Sequence, residues 1–347
     1  MKRRDFLTKS ITGGALLSVA APVAAQATAP LKLVTTDQRS ADAFKTRIET
    51  TTAGEMSIEV EAVGLDAASD LLDRVSSGAA NLGIVSLDSF LDKNMALGMF
   101  ASMPFGMTTT ELEGWISASE GRDMLDLLGE EYGVSIHLVV NNGMLPMWSK
   151  SPIENMSSLS GQKIGSSGLA IQSIIAAGAT SVVDLRDPSV NWADLDVLDG
   201  VSATEMQEKG LIETFSNLSN ANPNKPSAVS ALIVNKDTMA AFSETEATIL
   251  QRACSAELAV SSAMTFHENA NIIGALDESA FNAYDLPDDV WSGLNASART
   301  VIEDIFNSGD LQATVVDAYI YFINDVSGWS DVGEAAYFVG RKRLISA

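Results

Sequence analysis

Few residues in this sequence are placed to do chemistry, and those few suit binding better than catalysis. Gly165-Ser166-Ser167-Gly168 opens a helical run, Leu169–Ala177. A helix N-terminus presents unpaired N–H groups and a positive dipole end, so Gly165, Ser166 and Ser167 there can hold a carboxylate or phosphate. The same four residues also fit any strand-to-helix turn that needs glycine. Asn142 ends an expected strand, Val134–Val140, and is read as a ligand amide or a turn former. Trp148 is read as a platform facing a solute or as a cleft wall, ahead of a core position. Ser202 and Glu205 stand where a strand tip, Gly200–Ala203, leads into a helix. Glu205 is either a site carboxylate or a solvated one.

Other chemistry lacks residues. His137 and His267 are far apart in sequence, and Cys254 is the single cysteine, set in an apolar helical run. No HExxH, CxxC or clustered Asp/His pattern appears, so nothing calls for zinc or another metal. No Ser/His/Asp or Cys/His set stands at a recognisable motif, so the chain is read as a binder and not an enzyme, without a cofactor.

Strands and helices alternate around these residues. Leu31–Thr35, Met56–Val63, Leu82–Ser86, Val134–Val140, Ser181–Leu185 and Ala228–Asn235 read as strands from their β-branched or alternating pattern. Ser40 is expected to cap a helix carrying Phe44 and Ile48, and Leu71, Leu72 and Val75 face inward from a helix over Ala67–Ser77. Trp192–Leu198 reads as helical, Asn220–Pro226 as a loop, and the chain from Ser243 onward as mostly helical. Such alternation predicts an α/β fold of largely parallel strands. With 347 residues, 46% of them hydrophobic, two cores are expected. The formal charge of −23 repels nucleic acid and anionic lipid, which excludes both as partners.

Residues 1–27 read as a cleavable export signal. Lys2, Arg3 and Arg4 precede a short apolar run, Ile11–Ala21, and small residues end it at Ala25 or Ala27. The run is too short to span a bilayer, which takes about 20 apolar residues. Arg3-Arg4-Asp5-Phe6-Leu7 fits a twin-arginine signal, with an ordinary Sec signal as the alternative.

Several segments, taken in order, resemble the solute-binding proteins of tripartite ATP-independent periplasmic (TRAP) transporters. They are Leu71–Gly83, Met103–Thr108, Leu159-Ser-Gly-Gln-Lys-Ile164, Asp199–Met206, Ala313–Trp329 and Glu334–Gly340. The nearest branch is the one that binds α-keto acids. The resemblance implies a two-lobed periplasmic solute-binding fold (type II-like), with strands crossing a hinge and long C-terminal helices. It divides the chain into lobe I (28–150), lobe II (151–228) and a return strand with C-terminal helices shared between the lobes (229–347). The partners it implies are a small solute, the TRAP membrane permease subunits and, through exchanged C-terminal helices, a second copy of the chain.

The site departs from the family pattern. Gly165 stands where the family has an arginine that grips the solute carboxylate with two prongs. Lys163, two residues back, lacks that fork. Met144 stands for a glutamine, Met206 for a tryptophan beside Glu205, and Asn222–Pro226 lacks the family's aromatic residues. Arg186 reads as part of a solvated strand-end loop, with a replacement for the missing guanidinium as the alternative. The expected pocket is therefore roomier than the family's, and suited to a solute less anionic than a keto acid. Asn142, Trp148, Gly165–Gly168 and Ser202–Glu205 are expected to share one cleft. A degenerate fold serving as a signalling or scaffold partner is the alternative function.

Overall fold

A computed structural model describes residues 29–277 and 281–345; the expected export signal lies outside them. Among the described residues, eleven strands form two sheets: β1 (Leu31–Thr35), β2 (Ile58–Ala62), β3 (Leu82–Ser86), β4 (Val134–Asn141), β5 (Met147–Ser149), β6 (Lys163–Ser166), β7 (Ser181–Asp184), β8 (Val197–Asp199), β9 (Asn217–Ser219), β10 (Val229–Asn235) and β11 (Asn282–Tyr284). The first sheet runs β2-β1-β3-β10-β4 and the second β11-β9-β5-β8-β6-β7. β1, β2 and β3 are parallel, while β10 pairs antiparallel with both β3 and β4. β6, β7 and β8 are parallel, and β5 is antiparallel to its neighbours.

Sequence pattern explains the elements. β3, Leu-Gly-Ile-Val-Ser, is apolar along most of its length and is buried on both faces, as a central strand must be. β2 alternates and exposes Glu59 and Glu61, as an edge strand does. Asp37, not Ser40, caps the first helix (Gln38–Thr51): its carboxylate accepts the Ser40 N–H at 3.0 Å. The 192–198 segment is not helical; one 3-10 turn, Trp192–Asp194, leads into β8. Likewise 200–203 is no strand tip, since β8 ends at Asp199 and Ser202 caps the helix Ala203–Glu208. β5 belongs to the second sheet, so the chain first crosses between lobes over residues 142–146, before the boundary expected at 150. Three-residue strands such as β5, β9 and β11 are too short for periodicity to reveal.

Two crossings run side by side at the hinge. Asn142 N–H donates to Ala228 at 2.8 Å, Leu145 N–H to Lys225 at 3.1 Å, and Asn222 Nδ2 to Leu145 at 3.0 Å. The 31-residue helix Glu244–Gly274 packs on β4, and its far end reaches the second lobe, where Asn269 accepts the Thr204 N–H. The helix Asp288–Phe306 contributes Val290 and Leu294 to the second lobe's core and Val301 and Ile305 to the first's. The C-terminal helices therefore clamp both lobes. Among the described residues, no helix is long and apolar enough to cross a membrane.

Candidate functional site

The carboxyl ends of β3, β6, β7 and β8 meet between the lobes, where ligands bind in open α/β folds. β3 leads to Asp88, β6 ends at Ser166, β7 leads through Asp184 to Arg186, and β8 ends at Asp199. The second crossing adds Asn222, Asn224 and Lys225. Six of these side chains are sealed from water: Asp88 is 6% exposed, Lys225 3%, Asn222 1%, and Ser166, Asp199 and Asn224 0%. Burying so many polar groups is costly unless they are paired.

Most are paired. Arg186 grips Asp184 through Nε and Nη2 and reaches the Asp88 carbonyl through Nη1 at 3.1 Å. The Lys225 ammonium lies 3.6 Å from the other Asp88 oxygen. Burial raises the Asp88 pKa, but Lys225 and Arg186 outweigh it, and the carboxyl is held below its usual range. Asp199 accepts the Ser166 hydroxyl at 2.7 Å and the Asn222 amide at 2.9 Å. No cation pairs with it within ion-pair distance among the described residues, and burial pushes its pKa up despite those bonds. Asn224 lies beside Asp199 and helps to hold its charge, yet neither end of its amide makes a well-formed hydrogen bond among the described residues. Buried amides are rarely left so.

Two glycines make this approach possible. Gly168 (φ 62°) has no side chain to strike Asp88: a Cβ there would come within 2.2 Å of its carboxylate. Gly200 (φ 80°) likewise admits the Lys225 stem, whose Cγ would lie 2.5 Å from a Cβ.

A crevice continues outward from this seam. One part, of about 310 Å³, lies between Leu65, Asp66 and Ser89 of the first lobe and Asp184 and Arg186 of the second. A wider part, of about 650 Å³, adds Trp192, Glu205 and Lys209. Glu205 is half-buried there, and burial raises its pKa, with Lys209 opposing. The Lys209 ammonium sits 4.1 Å from the centre of the Trp192 ring.

The structure divides the expected site residues. Ser166 lies in the buried seam, with Gly165 and Ser167 next to it in the chain, and Glu205 lines the outer crevice. Ser202 serves as a helix cap, accepting the Glu205 N–H at 3.1 Å. Asn142 faces a different hollow, with Arg39, Ser40, Glu257 and Thr265 on the outside of the first lobe. Trp148 is 0% exposed, and its N–H donates to Val201 inside the second lobe's core, so it is neither platform nor cleft wall. Asn142, Trp148 and Glu205 therefore share no cleft. Nor is there extra room at Gly165, since a Cβ there would lie 2.4 Å from Leu185 and 2.6 Å from Leu195. Met206 is a core residue, Met144 is 47% exposed, and Lys163 faces solvent. Arg186 is no loose loop residue but part of the seam. Sequence reasoning missed Asp88, Asp199, Asn222, Asn224 and Lys225. The one signal available was a lysine between prolines in the second crossing.

Residues 31–183 match the family model for bacterial extracellular solute-binding protein, family 7. Most of the chain matches solved structures. A TRAP solute-binding protein of Bordetella bronchiseptica, a mixed-occupancy dimer with copurified calcium and picolinate in one site, superposes with a TM-score of 0.83 at 18% identity, covering 91% of this chain and 99% of that one. The chain has the fold of a TRAP solute-binding protein. A relative from Colwellia psychrerythraea with bound calcium and pyruvate gives 0.83 at 17% identity, over 90% and 99% of the two chains. One from Pseudoalteromonas atlantica with sodium and pyruvate gives 0.81 at 18%, over 89% and 98%. Among curated protein sequences, none matches. In this TRAP solute-binding-protein fold, the seam at Asp88, Asp199 and Lys225 lies between the lobes.

Proposed function

We propose that the chain is the periplasmic solute-binding subunit of a TRAP-type transporter. It captures a small organic solute by closure of its two lobes and delivers it to the membrane permease. One observation carries this reading: a sealed polar seam, joined by residues of both lobes and a crossing, that retains unpaired hydrogen-bonding groups. The twin-arginine segment directs export, and residues 1–27 are removed.

A second copy of the chain belongs to the same reading. Trp329, Val332, Tyr337, Phe338 and Val339 lie exposed on the C-terminal helices, at 50 to 77%. So many large apolar side chains exposed along one stretch of chain suit an interface, and the C-terminal resemblance points to a like partner.

The test is a thermal-shift screen of the purified chain against organic acids, amines, amides, sugars and osmolytes, followed by small-angle scattering. A true solute raises the melting temperature as RT ln(1 + [L]/Kd) and compacts the chain. A panel in which nothing does either would overturn the reading.

A further inference from the structure

The turn that opens the helix Leu169–Ala176 reads, from sequence, as either an anion seat or a plain strand-to-helix turn. In the structure that seat is taken. The Asp88 carboxylate packs against Gly168 at the mouth of the helix. It lies 3.4 Å from Arg186 Nη1 and 3.6 Å from Lys225 Nζ. Two cations and a helix N-terminus are what a receptor would bring to a solute carboxylate; here they hold a carboxylate of the protein itself. Arg186 is further occupied by Asp184.

What is left over has the opposite polarity. The seam contains Asp88, Asp184 and Asp199 against Lys225 and Arg186, so one carboxylate is in excess. That carboxylate is Asp199, fully buried, with one hydrogen bond to each oxygen and lone pairs to spare. Beside it lies the Asn224 amide, which leans on the Asp199 carboxylate but makes no well-formed hydrogen bond among the described residues. Ser102, in a segment tied to the crossing by the Phe105 N–H to Pro223 bond, also has a buried hydroxyl without a partner among the described residues. A buried carboxylate without a cation is costly to ionise; it can stay protonated, as its raised pKa allows, and it ionises when a cation arrives with the solute.

We propose that Asp88 is a built-in carboxylate that fills the anion seat, and that the solute is a small organic ammonium bearing a hydrogen-bonding oxygen. The ammonium sits on Asp199, and the oxygen pairs with Asn224. This names the substrate class of the receptor site proposed above and rests on that reading.

Calorimetry on the purified chain tests it with matched probes: ethanolamine and 1-amino-2-propanol against 1,2-propanediol, acetate and pyruvate. The amino alcohols should bind at least tenfold more tightly than the diol, and the carboxylates should not bind. Asp199→Asn should weaken the amino alcohols at least tenfold. Asp88→Ala vacates the seat, so acetate should now bind and raise the melting temperature, and Asp88→Ala with Lys225→Met should lose that response. Pyruvate or acetate binding the unaltered chain as well as the amines do would overturn the proposal. So would a folded Asp88→Ala protein blind to acetate. If Asp88→Ala does not fold, the probe series on the unaltered chain and on Asp199→Asn decides alone. A sugar or an acid that binds and compacts the chain while the amines do not would end this substrate class and leave the receptor reading standing. Silence across the whole panel would end both.

Discussion

Arg186, on the second lobe, donates to the backbone carbonyl of Asp88, on the first, at 3.1 Å. The guanidinium is held in aim by Asp184, two residues before it in the chain, which binds Nε and Nη2. Burial disfavours the charge on Arg186, but these carboxylates outweigh it and its pKa lies above the ordinary value. The pair is therefore a latch between the lobes. Arg186→Ala should release it, with a larger radius of gyration in solute-free scattering and a stability loss of about 1–3 kcal/mol. An unchanged scattering profile would show that the latch does not hold the lobes.

Placing an arginine at position 165, where the TRAP resemblance expects one, should fail. The space beside Gly165 is filled by Leu185 and Leu195. Those leucine tips must shift to admit any side chain, which costs about 1–3 kcal/mol. Gly165→Arg should melt earlier than the parent and show no pyruvate binding by calorimetry. Tight pyruvate binding by that variant would place the family's arginine pocket here after all.

Trp148 is a stability residue. It is sealed beside Leu198, Met206 and Phe281, and it donates to the Val201 carbonyl at 2.8 Å. Trp148→Ala should cost about 3–5 kcal/mol, measured by denaturant unfolding, and Trp148→Phe should cost less. A Trp148→Ala protein as stable as its parent would contradict this packing.

His137 gives the chain an acid-sensitive limb. It is buried on β4, and burial, with Arg122 nearby, pushes its pKa down to about 4 while Asp126 opposes. As pH falls below about 6.5, the unfolded chain binds a proton that the folded imidazole refuses until about 4. The stabilisation is thus complete above 6.5 and is lost progressively toward 4, about 3 kcal/mol in all. Asp199 acts in the opposite sense. Its raised pKa makes the native state the first to take up a proton, so its contribution improves as pH falls from neutrality. Melting temperatures of His137→Leu should fall less between pH 6.5 and 4 than the parent's. Parallel curves would show that His137 is not the titrating group.

What the sequence revealed follows from how local each signal is. β3 was legible because an apolar run bounded by turns is complete in five residues, and Leu71, Leu72 and Val75 because helical spacing alone marks an inward face. The strand read as Val134–Val140, which the structure extends to Asn141, and the loop 220–226 were legible for the same reason. β8 was not, because Trp192–Leu198 mixes apolar and acidic residues at a spacing that fits a helix as well. The seam was not legible either. Asp88 and Lys225 are each unremarkable in their own segments, and what makes them a pair is that β3 and the second crossing end at one place. Trp148 misled because an aromatic residue near a hinge suits a solute and a core equally well; only the Val201 carbonyl distinguishes them.

The placement of β10 has a consequence for how the molecule is made. This strand lies between β3 and β4 in the first sheet, yet in the chain it follows every strand of the second sheet except β11. While the nascent chain has emerged only as far as Ser219, β3 and β4 have no strand to join them. The first lobe, although synthesised first, can close its sheet only after Asn235 has left the ribosome. The Asp88 and Lys225 pair, held by the same late segment, forms no earlier. Long-range pairings of this kind slow folding and leave strand edges open in the interval. For this chain that interval covers the synthesis of most of the second lobe.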